Sequence, residues 1–133
     1  MRNELFDQAV SDILKHDPTY PRAAYELLPV ALDYTVRQCY KKRPKGEETQ
    51  HVTGQQLSIG FRDYMLETYG PFAWDILQTY NIHRTNDIGQ LVYNLIKVGA
   101  FGKTEKDSID DFDNVYDFWT TFHEPFDPKD SRK

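Results

Sequence analysis

Asp107, Asp110, Asp111 and Asp113 crowd several carboxylates onto one short stretch, a density that could hold calcium or magnesium, since hard cations gather carboxylate oxygens. The spacing does not follow a calcium loop: no glycine stands at the sixth position and no glutamate closes it at the twelfth. A solvated acidic turn is the expectation, with no metal and no cofactor assigned, and Ser108 beside it suits a helix or turn cap. His16, His51, His83 and His123 lie far apart, none at zinc-type spacing from another or from Cys39. His51 opens the turn His-Val-Thr-Gly-Gln, where hydrogen bonding at a helix entry is its expected role. Cys39 falls on the apolar side of its helix and is expected to be a buried, inert thiol. No phosphate loop, dinucleotide fingerprint or G-x-S-x-G elbow occurs, so no catalytic residue is assigned.

The elements that must position these groups read as helices. Leu5, Phe6, Ala9, Val10, Ile13 and Leu14 recur at helical spacing and predict a first helix over 3–16 that stops before Pro18. A second runs over 22–40 with Ala24, Leu27, Leu28, Ala31, Thr35 and Cys39 on one side, and Pro29 predicts a kink or restart near Leu28. The segment KKRPKGEETQ is an exposed loop. Thr53 and Gln56 form a capping box that starts a third helix, carrying Leu57, Phe61, Tyr64, Met65 and Thr68 to Gly70, and Pro71 opens a fourth at a sharp angle. Phe72, Ile76 and Tyr80 are its expected stripe. Ile88, Leu91, Val92, Leu95 and Ile96 give the cleanest amphipathic pattern, a fifth helix ended by Gly99. Beyond it two readings compete: a β-hairpin near 100–116 followed by a short helix capped by Asp117, or one helix over 108–122. The expected fold is mainly α, a compact domain of five to six helices over 1–124, with a winged-helix-like hairpin as the preferred ending and a disordered tail over 125–133.

A chain of 133 residues is one domain, long enough to bury roughly two thirds of its unfolded surface. The single cysteine cannot make an internal disulfide, the N-terminal stretch carries charges where a signal peptide needs an apolar run, and no membrane-spanning run exists, so a cytoplasmic location is expected. A net charge of −5 and a pI near 5.3 argue against generic phosphate-backbone binding. The charge is uneven: Arg37, Lys41, Lys42, Arg43 and Lys45 crowd one stretch, while the acids between Glu105 and Asp117 crowd another.

The phrases HVTGQQL, YGPFAWDIL, DIGQLVYNLIKVGAFGKTEKDS and DFDNVYDF, in this order, resemble a family of small uncharacterised bacterial proteins known mainly from planctomycetes and verrucomicrobia. The resemblance covers about residues 25–122, and KKRPKGEETQ is longer than it implies. It brings no activity, because the family has no assigned reaction, substrate or catalytic residue.

Two functional readings follow. The first is a non-enzymatic, adaptor-like module that offers an acidic, aromatic C-terminal face, with Asp107, Asp110, Asp111, Asp113, Tyr116 and Trp119, to a protein partner with a basic surface. The second is a winged-helix-like nucleic-acid-binding regulator using the fifth helix with Arg37, Lys41, Lys42, Arg43 and Lys45. The outward residues of that helix, Asp87, Gln90, Tyr93, Asn94 and Lys97, include one cation, which weighs against the second. Homodimerisation through the opposite charges is a third expectation.

Overall fold

The computed structural model describes residues 4–40 and 51–128. The helices are α1 (Glu4–His16), α2 (Arg22–Tyr40), α3 (Gly54–Tyr69), α4 (Ala73–Thr79) and α5 (Thr85–Lys97). A 3-10 turn, Gly70–Phe72, precedes α4; after α5 come a 3-10 turn Ile109–Phe112, a π-helical turn Trp119–His123 and a 3-10 turn Glu124–Phe126. Among the described residues no strand occurs, and no helix is long and apolar enough to cross a membrane.

Local chemistry explains most boundaries. In α1, Glu4 and Asp7 sit in the first turn and Lys15 and His16 in the last, each favourable to the helix dipole. Thr53 caps α3 through the Gln56 N–H (3.0 Å), and the Gln56 side chain accepts from the Thr53 N–H (2.8 Å). Gly99, at φ +80°, ends α5 in a Schellman motif: the Ala100 N–H reaches the Leu95 carbonyl at 2.9 Å and the Gly99 N–H the Ile96 carbonyl at 3.0 Å.

Packing then decides what is inside. α2 lies along α3, and their backbones come close where Gly60 faces Thr35; a Cβ on Gly60 would fall 1.8 Å from Thr35 Oγ1. Thr35 is buried and returns its hydroxyl to the Ala31 carbonyl at 2.7 Å. α5 is the central helix, touching α1, α2 and α3 with Ile88, Leu91, Val92 and Leu95 in the core.

Several sequence expectations change here. α2 runs through Pro29 without restarting, because Leu27, Leu28, Ala31 and Thr35 are buried on both sides of it and tertiary packing outweighs the local cost of proline, about 3 kcal/mol. Phe72 is not on a core stripe: it belongs to the 3-10 turn and is 67% exposed, while Ala73 and Leu77 face inward. The tighter turn ahead of α4 shifts its register. Cys39 is exposed, since the last turn of α2 runs past the elements that cover Thr35. Asn94 is buried and donates to the Tyr25 hydroxyl at 3.0 Å.

The winged-helix-like hairpin near 100–116 is also corrected. Ser108 and Asp111 close a reciprocal cap that winds Ile109–Phe112 into a 3-10 turn, and Asn114 at φ +45° breaks any extended run after it. The same breaks rule out one helix over 108–122. The segment is instead moored to α5: Thr85 Oγ1 donates to the Phe112 carbonyl (2.6 Å) and accepts from the Val115 N–H (3.0 Å), and Asn86 Nδ2 donates to Asp113 (2.8 Å). Phe112 is buried between Gly54 of α3 and Gly89 of α5, where any Cβ would come within 3 Å of its ring. The expected tail from 125 begins inside an ordered turn, Glu124–Phe126.

Candidate functional site: an aromatic face and a separate cavity

The mooring of the C-terminal segment sends its acidic and aromatic residues in different directions. Asp107 Oδ1 meets His51 Nε2 at 3.0 Å, and its Oδ2 accepts the Thr104 N–H at 2.8 Å. Desolvation alone would raise the Asp107 carboxyl, but the bonds from Thr104 and His51 and the His51 charge together hold it below its ordinary value. His51 thus takes the hydrogen-bonding role expected at the entry of α3, with the acidic segment as its partner, and its carbonyl accepts from the Tyr40 hydroxyl at 2.5 Å. Asp111 Oδ2 accepts the Ser108 N–H at 3.2 Å, and Asp113 Oδ1 serves Asn86. Asp110 is exposed, its backbone N–H held by Ser108 Oγ at 3.1 Å. The carboxylates of Asp107, Asp111 and Asp113 thus each accept a local hydrogen bond, while Asp110 and Asp113 are exposed.

Asp107 and Asp111 line a cleft of about 360 Å³ between α2, α3, α5 and the segment after α5. Its walls are largely apolar, with Leu32, Val36, Leu57, Val92, Ile96 and Phe112 among them. Tyr93 lines it as well. Burial, then the charges of Asp107 and Asp111, push the Tyr93 hydroxyl's pKa up, which keeps it a proton donor.

Tyr116 and Trp119 go elsewhere. The Tyr116 hydroxyl donates to the Ser58 carbonyl at 2.7 Å, and desolvation raises its pKa well above the ordinary tyrosine value; Arg62 opposes this from 5.9 Å over the ring. Tyr116 is a mooring residue. Trp119 is 45% exposed and stacks on His123, with ring centroids 3.9 Å apart and planes at 14°. The wide π turn, in which the Glu124 N–H reaches the Trp119 carbonyl, brings side chains four apart nearly into line. Trp74 of α4 meets both rings edge-on, at 5.5 Å from Trp119 and 5.2 Å from His123.

Phe126, 42% exposed, lines a recess with Trp74 and His123, and Phe72, in the turn just before α4, is 67% exposed. Asp75 and Asp127 join Trp74, His123 and Phe126 in a small recess of about 170 Å³. A second recess, about 520 Å³, lies on the other side of Trp74 and Trp119 and includes Arg84 and Asp117. Asp117 Oδ2 also caps the turn through the Thr120 N–H at 3.0 Å, the capping role its sequence position predicted.

Of the six residues expected at a protein-binding face, only Trp119 is an exposed aromatic of this cluster. Trp74, Phe72, His123 and Phe126 were not legible as its companions, because only the fold joins the α3–α4 junction to the C-terminal turns. Of the basic stretch, Arg37 is exposed and paired with Asp33 at 3.1 Å, while Lys41, Lys42, Arg43 and Lys45 lie outside the described residues. Comparisons with protein-family models, curated proteins and solved structures found no match to this chain.

Proposed function

We propose that the protein is a non-enzymatic interaction module that holds a basic, arginine-bearing peptide segment of another protein on the face around Trp119. The carrying observation is the exposure of Trp119 and Phe126 on either recess beside Trp74, with Asp75, Asp117 and Asp127 among the lining residues and exposed Glu124 in the same turn as Phe126. Aromatic anchors contribute most of the energy at protein interfaces, and a guanidinium gains both from a tryptophan face and from a nearby carboxylate. Exposed aromatics are also the residues a monomer gains least from leaving in water.

The packing of α5 against α1, α2, α3 and the turn Ile109–Phe112 lends the nucleic-acid alternative no support among the described residues.

A display library of short random peptides selected on the immobilised protein tests the proposal. The expected peptides carry arginine or lysine beside an apolar anchor, bind less tightly as salt rises, and lose binding to Trp119→Ala and to the double reversal Asp75→Lys, Glu124→Lys. Selection of acidic or uncharged peptides, or binding indifferent to these substitutions, would overturn it. Reversal at Asp111 or Asp113 is a poor test, since Asp111 closes the Ser108 cap and Asp113 holds Asn86 of α5.

A further inference from the structure

We propose that the cleft between α2, α3, α5 and the segment after α5 is a binding site for a small apolar amine, whose hydrocarbon body enters the cleft and whose primary ammonium is held by the carboxylate of Asp111. It is distinct from the aromatic face, with which it shares no lining residue.

The size and the walls suit the body. A volume of about 360 Å³ lies within the range of sites that hold small organic ligands, and Leu32, Val36, Leu57, Val92, Ile96 and Phe101 give the cleft apolar sides.

Charge selects the head. Asp107 and Asp111 both line this cleft. The two oxygens of Asp107 are engaged by His51 and Thr104, bonds that hold it ionised at neutral pH. Asp111 is less committed. Its Oδ2 accepts the Ser108 N–H at 3.2 Å, while its Oδ1 has no hydrogen-bond partner among the described residues and is not sealed from solvent. That oxygen is free to accept from an ammonium.

Little in the protein balances these two charges. Among the described residues Lys103 is the single lysine or arginine lining the cleft; it is exposed, and its Nζ lies 3.4 Å from the Thr104 carbonyl, in no ion pair with a carboxylate. Apolar walls concentrate the field of like charges in a cleft, which draws in a cation and repels an anion. The walls then choose among cations, because an ion without a hydrocarbon body would leave them in contact with water.

The test uses the full chain and three probes of one shape, 4-ethylbenzylamine, 4-ethylbenzyl alcohol and 4-ethylbenzoate, titrated by amide NMR at neutral pH. The amine should shift resonances around Val92, Ile96 and Phe101 saturably and bind roughly tenfold tighter than the alcohol, with the benzoate weakest. Asp111→Asn keeps an acceptor for the Ser108 N–H and should remove most of the amine's advantage without changing the alcohol's own binding. Asp110→Asn, which takes away an equal charge outside the cleft, should leave the preference in place. Ala100→Phe and Val36→Phe, which fill the cleft from different walls, should each abolish binding, and Trp119→Ala should leave it unchanged. No saturable binding of the amine to the wild-type chain, or alcohol or benzoate binding as tight, would overturn the proposal, as would an Asp111→Asn protein that keeps the full preference or an Asp110→Asn protein that loses it.

Discussion

His51 and Asp107 stand 56 positions apart in the chain, yet their bond is a principal polar link between the α3 entry and the acidic segment. Because Asp107 is held below its ordinary 3.8 when folded, its contribution is present in full above that pH and fades as the pH falls through the lower folded value. Asp107→Asn should therefore cost about 1 kcal/mol in urea unfolding at neutral pH, and the gap from wild type should close below pH 3.8. A gap that persisted unchanged in acid would remove the pair from the account. Sequence reasoning could assign His51 a bonding role, because it stands two residues before a capping threonine. Its partner was not legible, since nothing in the run of aspartates distinguishes Asp107 from Asp110. The same holds for Tyr93 and Asn94, adjacent on α5 and both expected to face outward: the fold buries Asn94 against Tyr25 and shields the Tyr93 hydroxyl.

At the scale of elements, glycines set how closely the helices approach. Gly60→Ala should destabilise the domain by about 1–3 kcal/mol, the usual cost of overpacking, because Thr35 occupies the space a methyl would need. Adding Thr35→Ala should recover part of this loss in equilibrium unfolding and not all, since Thr35 Cβ itself would lie 2.7 Å from the new methyl. Phe112 is the corresponding peg for the C-terminal segment. Phe112→Ala should cost about 3–5 kcal/mol and free the segment that carries Trp119, seen as raised amide exchange over residues 109–123. Helix positions were legible because caps and periodicity are local: the Thr53 box, Gly70, Gly99 and the apolar series of α5 stand where the sequence put them. The segment after α5 was misread as a hairpin because its short apolar runs fit several local structures, and contacts with Thr85, Asn86 and Gly89 chose among them.

For the whole molecule, a net charge of −5 and the carboxylates around Trp119 predict that binding of basic peptides weakens steadily with salt, which calorimetry at two ionic strengths measures. Sedimentation should give a mass near 15.7 kDa at all salt concentrations; a mass near twice that at low salt would show self-association through opposite charges instead.

The sequence by itself determined that this chain is helical, roughly where its helices lie, and most of the apolar residues that α2, α3 and α5 bury, because caps, prolines, glycines and apolar spacing act over a few residues. Only the tertiary structure decided that Asp107 bonds His51, that Trp119 and His123 pack against Trp74, and that Phe112 is buried between Gly54 and Gly89. Those outcomes depend on which segments meet across long separations, and residue types alone carry no record of that.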